Sequence, residues 1–297
     1  MKRLAAIDIG SNAARLLLTD VVKDHDGSVF LQKINLIRIP LRLGLDVFET
    51  GSISKEKIGM MVHTIKAYKS ILQAYNIPPQ HLITAATSAM RDAKNSAFVI
   101  KKILKETDIK IDIISGDLEA NLIYENHVAE SMEKIFPYLY IDVGGGSTEL
   151  TLFAGGKLIF KKSFNIGTIR LLKGQVDQNL WDELKEFVKS ATKSHKNIQA
   201  IGSGGNINKL FSLSKKKEGK ALSSDLLKDY YKELSNFSIE DRMRIYKLRE
   251  DRADVIVPAL QIYIQVMKWA NIEEIYVPKI GLADGLIHHL YESLTTA

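Results

Sequence analysis

Two glycine-rich turns carry residue types that bind phosphate. They are Asp8-Ile9-Gly10-Ser11-Asn12 and, 134 residues further on, Asp142-Val143-Gly144-Gly145-Gly146-Ser147-Thr148. Each follows an apolar strand pattern that ends in an aspartate. Successive backbone N–H groups in such a turn form a concavity for an anion, because glycine permits a close backbone approach. The carboxylate beside it can hold a hard cation such as Mg²⁺. The pattern predicts that the chain binds phosphate.

A second pair of turns repeats this arrangement. They are Ala86-Thr87-Ser88-Ala89-Met90-Arg91 and Gly202-Ser203-Gly204-Gly205-Asn206. Each joins a predicted strand to a predicted helix, and free N–H groups at a helix N-terminus attract anions. One such turn by itself is better explained as a plain strand-to-helix connection. Four turns in two matched pairs favour two similar halves that face each other across a phosphate-binding cleft.

The elements that must position these turns follow from the hydrophobic periodicity. In the first half we expect strands at 2–8, 14–22, 29–39, 82–85 and 111–114, and helices at 54–75, 95–106 and 117–132. In the second half we expect strands at 138–143, 148–154, 157–164, 198–201 and 275–277, a helix at 179–193, a largely helical stretch at 205–270, and a helix at 283–294. Strands that alternate with helices predict mixed, mainly parallel sheets flanked by helices. Ligands of such sheets bind outside the carboxyl ends of the strands, where the glycine turns lie. We expect the last helix to pack against the first half.

Composition restricts the class of protein. A chain of 297 residues with 45% hydrophobic and 26% charged residues is typical of a soluble protein with two domains. The absence of cysteine excludes disulfides and thiolate metal sites, and the seven histidines show no spacing typical of zinc ligands. A net charge of +6 favours an anionic partner. Because Met1-Lys2-Arg3 runs directly into a strand and no long apolar stretch follows, we expect a cytoplasmic protein without a membrane segment.

The chain resembles the exopolyphosphatase/guanosine pentaphosphate phosphohydrolase (Ppx/GppA) family. The motifs that carry the resemblance are AIDIGSNAARLLL (6–18), ATSAMRDAKN (86–95), ISGDLEANLI (114–123), YIDVGGGSTEL (140–150), FNIGTIRL (164–171), IGSGGNINKL (201–210), REDRADVIV (249–257) and KIGLADGLI (279–287). The resemblance implies an α/β fold of two actin-like, ribonuclease H-like domains with a cleft between them. The expected domains are 1–128 together with a C-terminal helix at about 282–297, and 129–281, with a hinge in 125–137. The chain is similar to the short form of the family.

The resemblance also implies roles for single residues. Glu119 stands at the position of the family's catalytic glutamate, which implies a general base, although its place in the first turn of a helix is explained equally well by the helix dipole. Arg91 follows a small-residue turn and is expected to clamp a phosphate. Asp142 and Glu149 are the expected Mg²⁺ ligands, and Asp8 holds the equivalent position in the first repeat. The expected phosphate-binding residues are Ser11, Asn12, Arg15, Gly144, Gly145, Gly146, Ser147, Thr148, Gly204 and Gly205. For Arg15 the alternative is that it only braces the fold.

The leading hypothesis is a Mg²⁺-dependent exopolyphosphatase that hydrolyses the terminal phosphoanhydride of inorganic polyphosphate and releases orthophosphate. A guanosine pentaphosphate 5′-phosphohydrolase would use the same residues. A kinase of the same superfold is a third hypothesis. A non-catalytic polyphosphate or alarmone sensor is a fourth, because Leu118 replaces the first glutamate of a family pair and Ala283 replaces an arginine. The expected partners are polyphosphate or guanosine pentaphosphate, with no membrane or nucleic acid, and relatives imply a homodimer.

Overall fold

The chain forms two compact units. The structure is a computed structural model that describes residues 2–25, 27–125, 136–155, 157–278 and 281–296. The first unit comprises Met1–Val128 together with Gly281–Ala297, and the second comprises Ala129–Ile280. Most of the expected hinge at 125–137, and the end of the helix expected at 117–132, lie outside the described residues.

The first unit is built on a five-stranded sheet with the order β3-β2-β1-β4-β5. Its strands are β1 (Lys2–Ile9), β2 (Ala13–Lys23), β3 (Val29–Pro40), β4 (Leu82–Ala86) and β5 (Asp112–Ile113). The first three strands pair antiparallel, whereas β1, β4 and β5 run parallel. In β1 the stretch from Leu4 to Ile7 is fully buried. Helices that cover both faces of the sheet explain this run of apolar residues.

The helices of the first unit follow the expected periodicity, with two short additions, at 43–50 and 88–92. They are α1 (Leu43–Thr50), α2 (Lys55–Ala74), α3 (Ser88–Asp92), α4 (Ser96–Thr107), α5 (Gly116–Glu125) and, from the end of the chain, α13 (Leu282–Thr296). Helix α2 begins where Ser54 accepts a hydrogen bond from the N–H of Lys57. Helix α1 was not predicted, because its eight residues are too few to show a clear helical period.

Helix α13 packs against β1 and α5 within the first unit. Its residues Leu282 and Leu286 share a buried cluster with Leu4, Leu17 and Leu122. The expectation that the last helix packs against the first half of the chain is therefore confirmed.

The second unit has a six-stranded sheet with the order β10-β11-β9-β6-β7-β8. Its strands are β6 (Tyr138–Val143), β7 (Thr148–Ala154), β8 (Lys157–Phe164), β9 (Gln199–Ser203), β10 (Leu222–Ser223) and β11 (Glu274–Tyr276). Its helices are α6 (Thr168–Leu172), α7 (Gln178–Thr192), α8 (Gly205–Ser214), α9 (Ser224–Ser235), α10 (Ile239–Tyr246), α11 (Glu250–Ala253) and α12 (Ile256–Trp269). The buried face of α12 joins Leu139 and Ile141 of β6 in one core. No helix in the described part of the chain is long and apolar enough to cross a membrane.

The two sheets share one strand order. The series β8-β7-β6-β9-β11 repeats the series β3-β2-β1-β4-β5, with β10 added antiparallel at the edge. The predicted repeat is therefore confirmed, as is the α/β class with two helix-flanked sheets. The sheets are mixed, as expected, but antiparallel pairs are at least as frequent as parallel ones among the described strands. The reason is that three consecutive strands in each unit follow one another through short connections, which can join only antiparallel neighbours.

Candidate active site

The glycine turn of the second unit directs three successive amide groups to one side. The N–H of Gly144 donates to the carbonyl of Ser147 at 2.9 Å. Segment 168–170 donates to the carbonyls of Gly144 and Gly145 at 3.0 and 2.9 Å, and to that of Gly146 at 2.7 Å. In a trans peptide the N–H lies opposite the preceding carbonyl. The N–H groups of Gly145, Gly146 and Ser147 therefore point away from this segment, and none has a hydrogen-bond acceptor among the described residues. Such an arrangement is typical of an anion-binding concavity.

The segment behind this turn is held by close packing. A Cβ atom at Gly167 would lie 2.5 Å from the carbonyl carbons of Gly145 and Gly146, so that only glycine fits. The hydroxyl of Thr148 donates to the carbonyl of Ile166 at 2.6 Å, and Thr148 is fully buried. The structure thus corrects the expectation for Thr148: its side chain braces the loop behind the turn, because its hydroxyl is already used there.

Two carboxylates lie side by side next to this turn. Asp142 of β6 and Glu149 of β7 are direct cross-strand partners, so that their side chains leave the sheet on the same face. Glu149 is only 3% exposed, and its Oε1 accepts hydrogen bonds from the hydroxyls of Ser147 and Ser163 at 2.6 and 2.9 Å. Two neighbouring carboxylates repel each other unless a proton or a cation lies between them.

This oxygen-rich pair fits Mg²⁺. The ion commonly takes one or two carboxylates from a protein and completes its shell with water and substrate phosphate. Over the described residues no three histidine, aspartate or glutamate side chains converge on one point, so a cage made only of such side chains is not available. The pair Asp142 and Glu149 corresponds to the expected metal ligands.

The turn after β9 lies against Asp142. Gly204 has φ of 105°, a conformation that favours glycine, and a Cβ atom there would lie 3.0 Å from Oδ1 of Asp142. Helix α8 begins at Gly205, and the guanidinium of Arg252 fills the space beside this glycine while donating to Oδ1 of Asn206 at 3.0 Å. A helix N-terminus beside a guanidinium favours an anion. The expected phosphate contact at Gly204 and Gly205 therefore has a positive neighbour.

Tyr263 supports this turn from the core. Its hydroxyl donates to the carbonyl of Ser203 at 2.5 Å, and its side chain is completely buried. Burial raises the pKa of Tyr263 well above its ordinary value of 10.0, and the negative charge of Asp142 raises it further. The phenol therefore remains a proton donor, which fixes the end of β9 next to Asp142.

The first unit contains the corresponding turn. The N–H of Gly10 donates to the carbonyl of Ala13 at 3.0 Å, as Gly144 does to Ser147 in the second unit. The carbonyls of Ser11 and Asn12 accept from the segment 41–44, and the Ser11 hydroxyl lies 2.8 Å from that of Ser88. The contact between the two hydroxyls joins the first glycine turn to the start of α3.

Asp8 and Arg15 form an ion pair with each other. They are cross-strand partners in the same register as Asp142 and Glu149, and Arg38 of β3 continues the row next to Arg15. Asp8 is 2% exposed and has the guanidinium of Arg15 beside it, so that the chain itself supplies a cation for this carboxylate. The ion pair explains Arg15 as a residue that braces the fold, and the metal role of Asp8 and the phosphate role of Arg15 stay predictions.

Arg91 and Glu119 are brought together, although they are 28 positions apart. Nη1 of Arg91 donates to the carbonyl of Ile114 at 2.8 Å and to Oε2 of Glu119 at 3.1 Å. The side chains are 22% and 13% exposed. The arginine favours the ionised carboxylate that a general base requires. Its Nε and Nη2 donate to no acceptor among the described residues, which leaves one edge of the guanidinium for a phosphate.

The departures from the family pattern lie away from this pair. Leu118 is 41% exposed, so that it is directed to solvent while Glu119 is mostly covered. Ala283 is buried in the core under α13. Asp284 accepts a hydrogen bond from the N–H of Gly281 at 2.8 Å and pairs with Lys33. These substitutions leave Arg91 and Glu119 in contact.

Sequence reasoning missed several residues that shape the site. Ser163, Arg252 and Tyr263 contact the expected residues, and Ser203 ends the strand beside Asp142. Arg252 lies in a motif that the resemblance had singled out, and Ser203 stands immediately before the glycine pair. The other two show no local signal, because only the pairing of strands and the packing of α12 bring them near.

Two sheets with a common strand order, each with an aspartate and a phosphate-type turn at its central strand, define an actin-like protein. The chain belongs to the Ppx/GppA phosphatase family, whose family model matches residues 21–294. An exopolyphosphatase from Cytophaga hutchinsonii is 25% identical, with a TM-score of 0.84 over 98% of each chain. The Ppx/GppA family member from Aquifex aeolicus has the same fold, at 24% identity and a TM-score of 0.73 over 99% of this chain and 98% of that one.

A curated relative is longer than this chain. The bifunctional 3-dehydroquinate synthase/phosphatase of Fusobacterium nucleatum is 39% identical over 169 residues. The match covers 56% of this chain and 25% of that protein. The chain thus spans about a quarter of the curated relative that it matches.

Proposed function

We propose that this protein is a Mg²⁺-dependent exopolyphosphatase that removes orthophosphate from the end of inorganic polyphosphate. The observation that carries the proposal is the pair of carboxylates, Asp142 and Glu149, beside three amide groups that point to one side. Oxygen ligands for a hard cation next to donors for an anion are what a metal-bound phosphate chain requires.

The glycine turn would bind oxygens of the terminal phosphates. The N–H groups of Gly145, Gly146 and Ser147 donate to them, and the start of α8 at Gly204 and Gly205 attracts a further phosphate. Asp142 and Glu149 would hold Mg²⁺, which neutralises charge on the phosphoryl oxygens when bound.

Glu119 is the proposed general base. It accepts a proton from a water molecule that attacks the terminal phosphorus, while the anhydride P–O bond breaks and the shortened polyphosphate leaves. Arg91 holds the Glu119 carboxylate ionised and oriented through Nη1, and its other edge neutralises charge on the transferred phosphoryl group.

Support for polyphosphate as the substrate comes from two observations. The similar structure from Cytophaga hutchinsonii is that of an exopolyphosphatase, and the net charge of +6 favours a long polyanion. Guanosine pentaphosphate would place the same reacting phosphate in the same site, and it differs only in what lies beyond that phosphate.

The test measures phosphate release with Mg²⁺ from long-chain polyphosphate, guanosine pentaphosphate and ATP in parallel. Glu119→Gln is the blank, and Leu118→Ala is the matched control on the exposed side of the same helix. We expect release from polyphosphate that disappears in Glu119→Gln and persists in Leu118→Ala. Phosphate release from guanosine pentaphosphate but not from polyphosphate would show that guanosine pentaphosphate is the substrate instead. Tight binding of polyphosphate without any release would identify a sensor.

A further inference from the structure

The buried hydroxyl of Ser203 is a polar group that is unsatisfied within the part of the chain that the structure describes. Its residue is 2% exposed, and Oγ meets no donor or acceptor among the described residues. Burying a polar group without a partner costs free energy, so that such groups are rare and often face a ligand that is bound in the working protein. The backbone carbonyl of Ser203 accepts a hydrogen bond from the hydroxyl of Tyr263, so that the unsatisfied group is the side-chain hydroxyl alone.

The position of Ser203 places it beside the two carboxylates. It is the in-register partner of Asp142 across the parallel pair β6 and β9, and therefore lies on the same face of the sheet. A continuous row of oxygen-bearing side chains results: Ser203, Asp142, Glu149 and Ser163, one from each of four neighbouring strands. Ser163 donates to Glu149, whereas the hydroxyl of Ser203 has no partner among the described residues.

The first unit offers an internal comparison. There the row reads Ala85, Asp8, Arg15 and Arg38 in the same register. The cation beside Asp8 belongs to the chain itself, because Arg15 stands where the second unit has Glu149. In that row an alanine also stands where the second unit has Ser203. The hydroxyl therefore stands in the row that pairs Asp142 with Glu149, and an alanine stands in the row that pairs Asp8 with Arg15.

We propose that Oγ of Ser203 is a third oxygen ligand of the divalent cation held by Asp142 and Glu149. This inference rests on the metal site of the proposed function and extends it to a residue without charge. A hydroxyl suits a hard cation, and the charge of the two carboxylates disfavours an anion at the same point. Because no third histidine or acidic side chain converges here within the described residues, a further protein ligand has to be a neutral oxygen.

The first experiment titrates the metal-free protein with Mg²⁺ by calorimetry and follows thermal unfolding with and without the ion. Ser203→Ala should raise the Mg²⁺ dissociation constant by about tenfold or more, as for loss of one contact to a charged group. In metal-free buffer its melting temperature should equal or exceed that of the wild type, because an unsatisfied group is gone. Thr19→Ala is the matched control: Thr19 is also a buried hydroxyl without a described partner, but it lies within β2 of the first unit. It should bind Mg²⁺ as the wild type does.

The second experiment changes the ligand chemistry. The chain has no cysteine, so that Ser203→Cys introduces a unique thiol. A thiolate favours soft metals over Mg²⁺. We expect weaker Mg²⁺ binding, tighter Cd²⁺ binding, and the absorption band of a cadmium–thiolate bond, none of which should be seen to the same extent in Thr19→Cys.

Asp142→Asn separates failure of this inference from failure of the metal site. Normal Mg²⁺ binding in Ser203→Ala and Ser203→Cys, together with weakened binding in Asp142→Asn, would overturn the role of Ser203 and retain the site. Normal binding in all three variants would place the ion elsewhere and overturn the proposed metal site itself.

Discussion

Gly167 packs directly against the backbone of the glycine turn in the second unit. A Cβ atom there would lie 2.5 Å from the carbonyl carbons of Gly145 and Gly146, whereas ordinary contact begins at 3.4 Å. The backbone φ of −137° suits alanine, so that the penalty of Gly167→Ala is purely steric. The glycine turn and segment 168–170 must separate to make room, which lengthens the hydrogen bonds at 3.0 and 2.9 Å to the carbonyls of Gly144 and Gly145.

The cost follows from these contacts. Overpacking typically costs about 1–3 kcal/mol, and each weakened hydrogen bond contributes up to about 1 kcal/mol. We expect Gly167→Ala to lower the free energy of unfolding of the second unit by about 3 kcal/mol. Because the turn also carries the amide groups proposed to bind phosphate, the apparent affinity for polyphosphate should fall as well.

Tryptophan fluorescence during urea unfolding measures this change directly. The chain has two tryptophans, Trp181 and Trp269, and both lie in the second unit. Gly59→Ala is the matched control, because a Cβ atom there meets nothing within 4 Å and the position lies inside α2. That variant should stabilise the first unit by up to about 1 kcal/mol, as for glycine replaced in a helix, while the tryptophan signal of the second unit and the activity stay as in the wild type. Wild-type stability and wild-type polyphosphate affinity in Gly167→Ala would refute the close packing described here.

Three further variants test the proposed base, the bracing of the glycine turn and the buried tyrosine. Glu119→Gln should lower turnover about a hundredfold with little change in polyphosphate binding, as for loss of a general base, and a fall of only a few-fold in a steady-state assay would remove it from that role. Arg170→Met should weaken polyphosphate binding, because Nε no longer donates to the carbonyl of Gly146 at 2.7 Å; equilibrium binding that matches the wild type would contradict this bracing. Tyr263→Phe should lower the free energy of unfolding by about 1–3 kcal/mol at neutral pH, because a buried carbonyl loses its donor. Above pH 10.0 the unfolded chain loses the Tyr263 proton while the folded protein keeps it. The stability that the neutral phenol contributes is therefore lost as the pH rises. In Tyr263→Phe the free energy of unfolding, measured by denaturation at a series of pH values, should fall less steeply above pH 10.0.

The sequence alone predicted most of the architecture, because the signals involved are local. The strands at 2–8, 14–22 and 29–39 and the helix at 54–75 lie within two residues of the observed elements. Their hydrophobic periods are long enough to be read without neighbours. The repeated aspartate and glycine turns also revealed that the chain has two similar halves, since turn chemistry depends on the residues in the turn itself.

Only the tertiary structure decided which charged residue stands directly across the strand pair from each of the matched aspartates. Asp8 and Asp142 look alike in sequence, but strand register places Arg15 beside the first and Glu149 beside the second. Likewise, the contact between Arg91 and Glu119 and the position of Ser203 arise from pairing between strands and helices far apart in the chain. The residue types determined that phosphate and a metal could be bound. Cross-strand neighbours, which no local pattern specifies, determined where each charge is compensated.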